Sequence, residues 1–159
     1  VNIGVILAML QFVRRMSGSV EVMQLSEEQL DQELGGNGVP VLPPGVLVYA
    51  IDGPFFFGAV ENFERALLVT HTVPQVLVLR LKRVPFMDIT GLQALEEVIR
   101  KMQARKVRVL LCEANARVMQ KLAAAELTGL VGKEGCFDTI GAALEHCRHT
   151  EPLHPRRPS

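Results

Sequence analysis

Val76–Met102 reads VLVLRLKRVPFMDITGLQALEEVIRKM, and this passage decides the fold. Its opening, Val76–Leu81, is rich in Val and Leu without a polar alternation, as in a strand buried on both faces. Pro85–Asp88 forms a loop. Leu92, Leu95, Val98, Ile99 and Met102 then fall on one helical stripe. Lys101, Arg105 and Lys106 suit the negative C-terminal end of that helix. Asp88 and Thr90 both stand where an N-cap oxygen is wanted, and Thr90 with Gln93 has capping-box spacing. Gly91 lets the backbone approach closely. A helix start of this kind also attracts anions; the local pattern by itself is met by simple capping.

The same alternation extends in both directions. Upstream, Val46–Ile51 (VLVYAI) is a strand that ends at the turn Asp52-Gly53-Pro54. Phe55–Phe57 reads as a second short strand, and Phe56, Val60, Phe63 and Leu67 as one face of a helix closed off by Pro74. Downstream, Val107–Cys112 (VRVLLC) is a strand, and Asn115 caps a helix carrying Val118, Met119 and Leu122. Leu130 and Val131 suggest a short final strand, and Asp138 the cap of a last helix with Ile140, Leu144 and Cys147. Strands alternating with helices imply an α/β sheet.

The N-terminal part is different. Val1–Val13 (VNIGVILAMLQFV) is almost wholly apolar and is followed by Arg14 and Arg15. Thirteen residues are too few to cross a bilayer, which takes about 20. A signal peptide would carry its basic residues before the apolar run. An apolar run ending in Arg-Arg fits the cytoplasmic end of a transmembrane helix, with a short amphipathic or core helix as the other reading. Met16–Gly45 carries five acids and no Lys or Arg, and its second half is punctuated by Gly and Pro. It reads as a linker holding one short helix near residues 27–34, with Ser26 and Gln29 as capping box and Gly35 as C-cap. The organisation expected is membrane-helix end at 1–15, linker at 16–45, compact domain at 46–149 and a disordered tail at 150–159, where TEPLHPRRPS holds three prolines.

Composition excludes several functions. The chain has 159 residues, 48% of them apolar, with 17 basic and 17 acidic residues, so it is neither a globally basic nucleic-acid binder nor an acidic disordered chain. Seven Phe, one Tyr and no Trp leave little for base stacking. Three Cys without a CxxC read as reduced, buried thiols. No GxSxG, Walker A or GxGxxG motif is present, and Gly45–Thr150 contains no Ser, so no catalytic residue is assigned and no enzyme is expected. His146 and His149 share a helical face, but two His without a third ligand do not make a metal site.

Asp88-Ile89-Thr90-Gly91-Leu92, between a strand and a helix, resembles the signature of the STAS domain. That family comprises anti-sigma factor antagonists and the C-terminal cytoplasmic domains of SulP-type anion transporters. The resemblance covers about Val41–His149. It is also carried by VLVLRL, by VRVLLCEAN, and by Asp52-Gly53-Pro54-Phe55-Phe56-Phe57-Gly58, which looks like the transporter branch. It implies a mixed sheet of about four or five strands with about four packed helices. It implies a non-catalytic regulatory domain of a transporter for sulfate or a related anion such as bicarbonate or a dicarboxylate. The partners implied are the transporter's own transmembrane domain, a second copy in a homodimer and a cytoplasmic protein, with no nucleic acid. The location implied is the cytoplasmic side of the inner (plasma) membrane, with Arg14 and Arg15 membrane-proximal. The alternative is a soluble anti-sigma factor antagonist-like switch that binds a partner kinase.

The resemblance makes Asp88, Ile89, Thr90 and Gly91 the switch and partner loop. In soluble antagonists a phosphorylatable Ser or Thr usually follows the Asp. Here Ile89 has no hydroxyl, which leaves Thr90 alone as an acceptor. No cofactor is expected; some family members bind nucleotides, but no motif here shows it. Between Arg80 and Lys121 stand ten basic and four acidic residues. The densest group is Arg100, Lys101, Arg105, Lys106 and Arg108, a solvated helix face or a contact surface for a membrane, an acidic partner or a nucleotide.

Overall fold

The computed structural model of the chain describes residues 3–17, 21–35, 42–53, 65 and 74–150. Five strands form one sheet in the order β1 (Glu21–Gln24), β2 (Val46–Asp52), β3 (Val76–Arg83), β4 (Arg108–Cys112) and β5 (Cys136–Phe137). β2 to β5 run parallel; β1 lies antiparallel on β2, with Glu21 opposite Asp52 and Gln24 opposite Tyr49. Six helices accompany the sheet among the described residues: α1 (Ile3–Ser17), α2 (Glu27–Leu34), α3 (Ile89–Ala104), α4 (Ala116–Ala124), α5 (Leu127–Val131) and α6 (Ile140–His149).

The period of two along each strand sorts the core into two layers. Tyr49, Ile51, Leu77, Leu79, Leu81, Val109 and Leu111 point to one face and pack with Leu95, Val98 and Ile99 of α3, Val118 and Leu122 of α4 and Leu127 of α5. Val46, Val48, Val78, Leu110 and Cys112 point to the other, under Leu30 of α2 and Ile140, Ala143 and Leu144 of α6. This is why VLVLRL shows no polar alternation: both of its faces are covered.

Most caps match their sequence signals. Ser26 accepts from the Gln29 amide at 3.3 Å while Gln29 Oε1 accepts from the Ser26 amide at 3.1 Å, and Gly35 ends α2 at φ +98°. Asn115 Oδ1 accepts from the Val118 amide at 2.8 Å. Three local expectations fail. Leu130 and Val131 belong to the helix α5, and the last strand is β5, where Leu111 and Cys112 supply the partners that bring Cys136 and Phe137 into register. Thr139, not Asp138, caps α6, because its Oγ1 meets the Ala142 amide at 3.1 Å. Thr90 sits inside the first turn of α3, so it forms no capping box with Gln93; Asp88 is the cap.

The stretch 16–45, expected as linker, also holds core. β1 extends the sheet, and Leu30 is fully buried against Val48 and Val78. Four strand residues are too few to show an alternation, and a single buried Leu on an acidic helix gives little signal. The expected strand at Phe55–Phe57, the helix at 56–67, the tail beyond residue 150 and the side chains of Arg14 and Arg15 lie outside the described residues.

Candidate functional site

The carboxyl ends of β2, β3 and β4 gather the charged groups of this fold: Asp52, Arg80, Lys82 and Arg83 on the strands, and Glu113 directly after β4. In open α/β sheets this edge is where ligands and partners meet the fold. Arg80 is the buried charged side chain among the described residues, 7% exposed. It survives there because its donors are occupied. Nε donates to Glu113 Oε2, Nη2 donates to Glu113 Oε1 at 3.4 Å, and Nη1 meets Glu33 Oε2 of α2 at 2.6 Å. Burial by itself would lower the Arg80 pKa, but the hydrogen bonds and charges of Glu113 and Glu33 outweigh it, so the guanidinium is held above its ordinary value. Glu113 adopts a left-handed backbone, φ +58°, which costs a non-glycine residue strain.

Beside this cluster lies the loop from β3 to α3. Val84 and Met87 are buried, while Pro85, Phe86, Asp88 and Ile89 face solvent. Two contacts stiffen it. Asp88 Oδ1 accepts from the Gly91 amide at 2.8 Å and closes the start of α3. Asn115 Nδ2 donates to the carbonyls of Val84 and Pro85 at 3.1 and 3.2 Å, so one residue caps α4 and clamps the neighbouring loop. Ile89 is 73% exposed on the first residue of α3. Thr90 is half-buried and Gly91 buried. The four residues singled out in the sequence therefore stand together on a rigid mount, with an apolar side chain outermost.

The basic group is arranged differently. Arg100 pairs with Glu96 and Lys101 with Glu97, each one helical turn apart on α3. Arg108 Nη2 lies 2.9 Å from His146 Nε2. Arg105 and Lys106 are exposed in the turn before β4, with no ion pair among the described residues. All of this lies at the amino ends of the parallel strands. α1, by contrast, reaches the carboxyl edge: β1 begins there, opposite Asp52. The four residue steps from Ser17 to Glu21 span at most about 14 Å. The basic group and α1 are thus attached at opposite edges of the sheet. His149 pairs with Glu145 rather than joining His146, and among the described residues no three His, Cys, Asp or Glu side chains are grouped to hold a metal.

Sequence reasoning missed Arg80, Glu113 and the clamping role of Asn115. One signal was available: an Arg inside VLVLRL occupies a position whose neighbours on both faces are core. Its partners, 47 residues before and 33 after it, were not readable from local pattern.

A family model described as the STAS domain matches residues 40–143. The chain belongs to the STAS family. A solved SulP transporter STAS domain from Vibrio cholerae is 45% identical, with a TM-score of 0.66; the match covers 75% of this chain and 93% of that one. Within the family this STAS domain therefore stands with the SulP transporter branch. A candidate sulfate transporter of Bacillus subtilis (strain 168) is 27% identical over 136 residues, covering 85% of this chain. The chain spans 24% of that relative's length, and 17% and 20% of sulfate transporters of Stylosanthes hamata and Arabidopsis thaliana. A candidate anti-sigma factor antagonist from Thermotoga maritima shares the fold at 18% identity and a TM-score of 0.57, covering 68% of this chain and 92% of that one.

Proposed function

We propose that this STAS domain is the regulatory and interaction domain, on the cytoplasmic side of the membrane, of a SulP-type secondary transporter for sulfate or a related anion such as bicarbonate or a dicarboxylate. The carrying observation is the 45% identity to a SulP transporter STAS domain across nearly its whole length. α1 supports the reading. No helix among the described residues is long and apolar enough to cross a membrane, and α1 has 15 residues. Yet Ile3, Val5, Ile6, Leu7, Met9 and Leu10 all face outward, each more than half exposed. Such a helix matches the inner end of a membrane span, with Arg14 and Arg15 at the cytoplasmic boundary.

In this reading the transport site lies in the transmembrane part, and the STAS domain carries no anion across the membrane and makes no bond. Its work is contact. The Asp88–Gly91 loop, on the edge to which α1 is tied, meets the transmembrane domain of the same transporter. Arg105 and Lys106, on the opposite edge, are left for an acidic cytoplasmic partner, and pairing in a homodimer brings two such domains together. Ile89 in place of a phosphorylatable residue speaks against the soluble kinase-binding switch. The test is uptake of labelled sulfate, bicarbonate and succinate by the full-length protein in proteoliposomes. Uptake of one of them that depends on an intact STAS domain is expected. Absence of uptake for all three, or uptake indifferent to removal of residues 46–149, overturns the reading.

A further inference from the structure

A cavity of about 410 Å³ opens between α2 and the face of the sheet that carries Arg80. Leu25, Leu30 and Ala50 line its apolar part; Glu33, Arg80, Lys82 and the Asp52–Arg83 ion pair line its charged part. Arg80 is held unevenly there. Glu113, its side chain 15% exposed, takes two of its donors from the inner side, whereas Glu33, 49% exposed, takes a single donor from the cavity side. Glu33 is also poorly placed on its own helix. With Asp31 it puts carboxylates in the last turn of α2, where no basic residue answers the negative end of the dipole. Lys82, two residues beyond Arg80 and on the same face of β3, has no ion pair among the described residues.

From this asymmetry we infer that the cavity is an anion-responsive site in which Glu33 is an internal occupant, and that a small oxyanion, a carboxylate or a sulfate-like group, displaces Glu33 from Arg80 with Lys82 as its second cation. The inner carboxylate keeps Arg80 charged and fixed throughout. The outer one is the part that exchanges. Losing it removes the polar tether of α2, an eight-residue helix too short to persist without tertiary support. α2 stays seated through Leu30 but frays at its C-terminal turn. Because α2 follows α1 and β1 in the chain, the oxyanion is read out on the segment that joins them to the rest of the sheet. The left-handed Glu113 is the strained element that over-determines the inner half of the site. This site does not depend on the transporter reading, since a free-standing domain would respond in the same way.

Amide hydrogen exchange of the 159-residue chain tests it. The reporter is Gly35, whose amide donates to Asp31 at the C-terminal end of α2; Leu30, whose amide donates to Ser26 at the N-cap, is the internal control. Sodium sulfate or sodium acetate is titrated against sodium chloride at constant ionic strength. A saturable acceleration of about threefold or more at Gly35, with Leu30 unchanged, is expected from at least one oxyanion and not from chloride. Salting-out by sulfate acts with the opposite sign, slowing exchange everywhere. Lys82→Met is expected to keep the slow baseline and lose the response. Glu33→Gln is expected to start fast and change no further. No acceleration by either oxyanion, an equal effect of chloride, or an undiminished response in Lys82→Met overturns the proposal.

Discussion

Ile89→Glu separates a contact residue from a structural one. In the free domain Ile89 is 73% exposed, so about a quarter of its side chain is withdrawn from water. Full burial of such a side chain stabilises by about 1.5–3 kcal/mol, so losing this quarter costs about 0.4–0.8 kcal/mol. The new carboxylate falls in the first turn of α3, where it gains about 0.3–1 kcal/mol from the helix dipole. The two terms cancel to within about 0.5 kcal/mol. At about 2–4 °C per kcal/mol for a domain of this size, the melting temperature should move by less than about 2 °C. In the assembled transporter the balance differs. If a partner covers the exposed three-quarters of Ile89, its loss costs about 1–2 kcal/mol, and desolvating the carboxylate costs more. A contact weakened by more than 1.4 kcal/mol is weakened more than tenfold. The measurement pairs thermal melting of the chain with initial rates of anion uptake by the full-length protein carrying the same change. The expected result is an unchanged melt with a sharp fall in uptake. An unchanged melt with unchanged uptake refutes the contact; a melt and an uptake that fall together show that Ile89 is core.

Other substitutions test the framework. Asp88→Ala should cost about 0.5–2 kcal/mol in denaturant unfolding, because the Gly91 amide loses its acceptor, while Thr90→Ala should cost less. Leu79→Ala and Leu110→Ala each empty a fully buried site, on opposite faces of the sheet, and should each cost about 2–5 kcal/mol. Glu28→Gln on the exposed face of α2 should stay within about 0.5 kcal/mol. The Cys112 thiol is pushed up to about 12 by burial first and by the charge of Glu113 second, so it should resist iodoacetamide at pH 8 in the folded chain. The unfolded chain releases that proton from about pH 9. The native state then binds more protons than the unfolded one, and stability should fall as pH rises above 9, an effect reduced in Cys112→Ala to what Cys136 and Cys147, also pushed up by burial, still contribute.

What could be read in advance divides by distance along the chain. Ser26 with Gln29, Gly35 and Asn115 were legible because a cap is a contract among residues three or four apart. Val46–Ile51, Val76–Leu81 and Val107–Cys112 were legible because β-rich apolar runs need no knowledge of their neighbours. β1 was not, since four residues become a strand only through the free edge of β2. Thr139 and Asp138 are adjacent oxygen-bearing candidates for one amide, and backbone geometry, not residue type, chose between them. The loop residues 88–91 were found through a motif; the Arg80 cluster, assembled from α2, β3 and the end of β4, was not, because nothing local binds those three segments.

The two margins of the sheet have a consequence for how copies of this chain can meet. β5 is two residues long and β1 four. A strand offers a template for intermolecular pairing in proportion to its run of unpaired amides and carbonyls. Neither margin provides enough of them to seed a continuous ladder, and the longest strand, β3, is sealed on both sides by β2 and β4. Crowding such domains together therefore carries little danger of amyloid-like growth through the described strands.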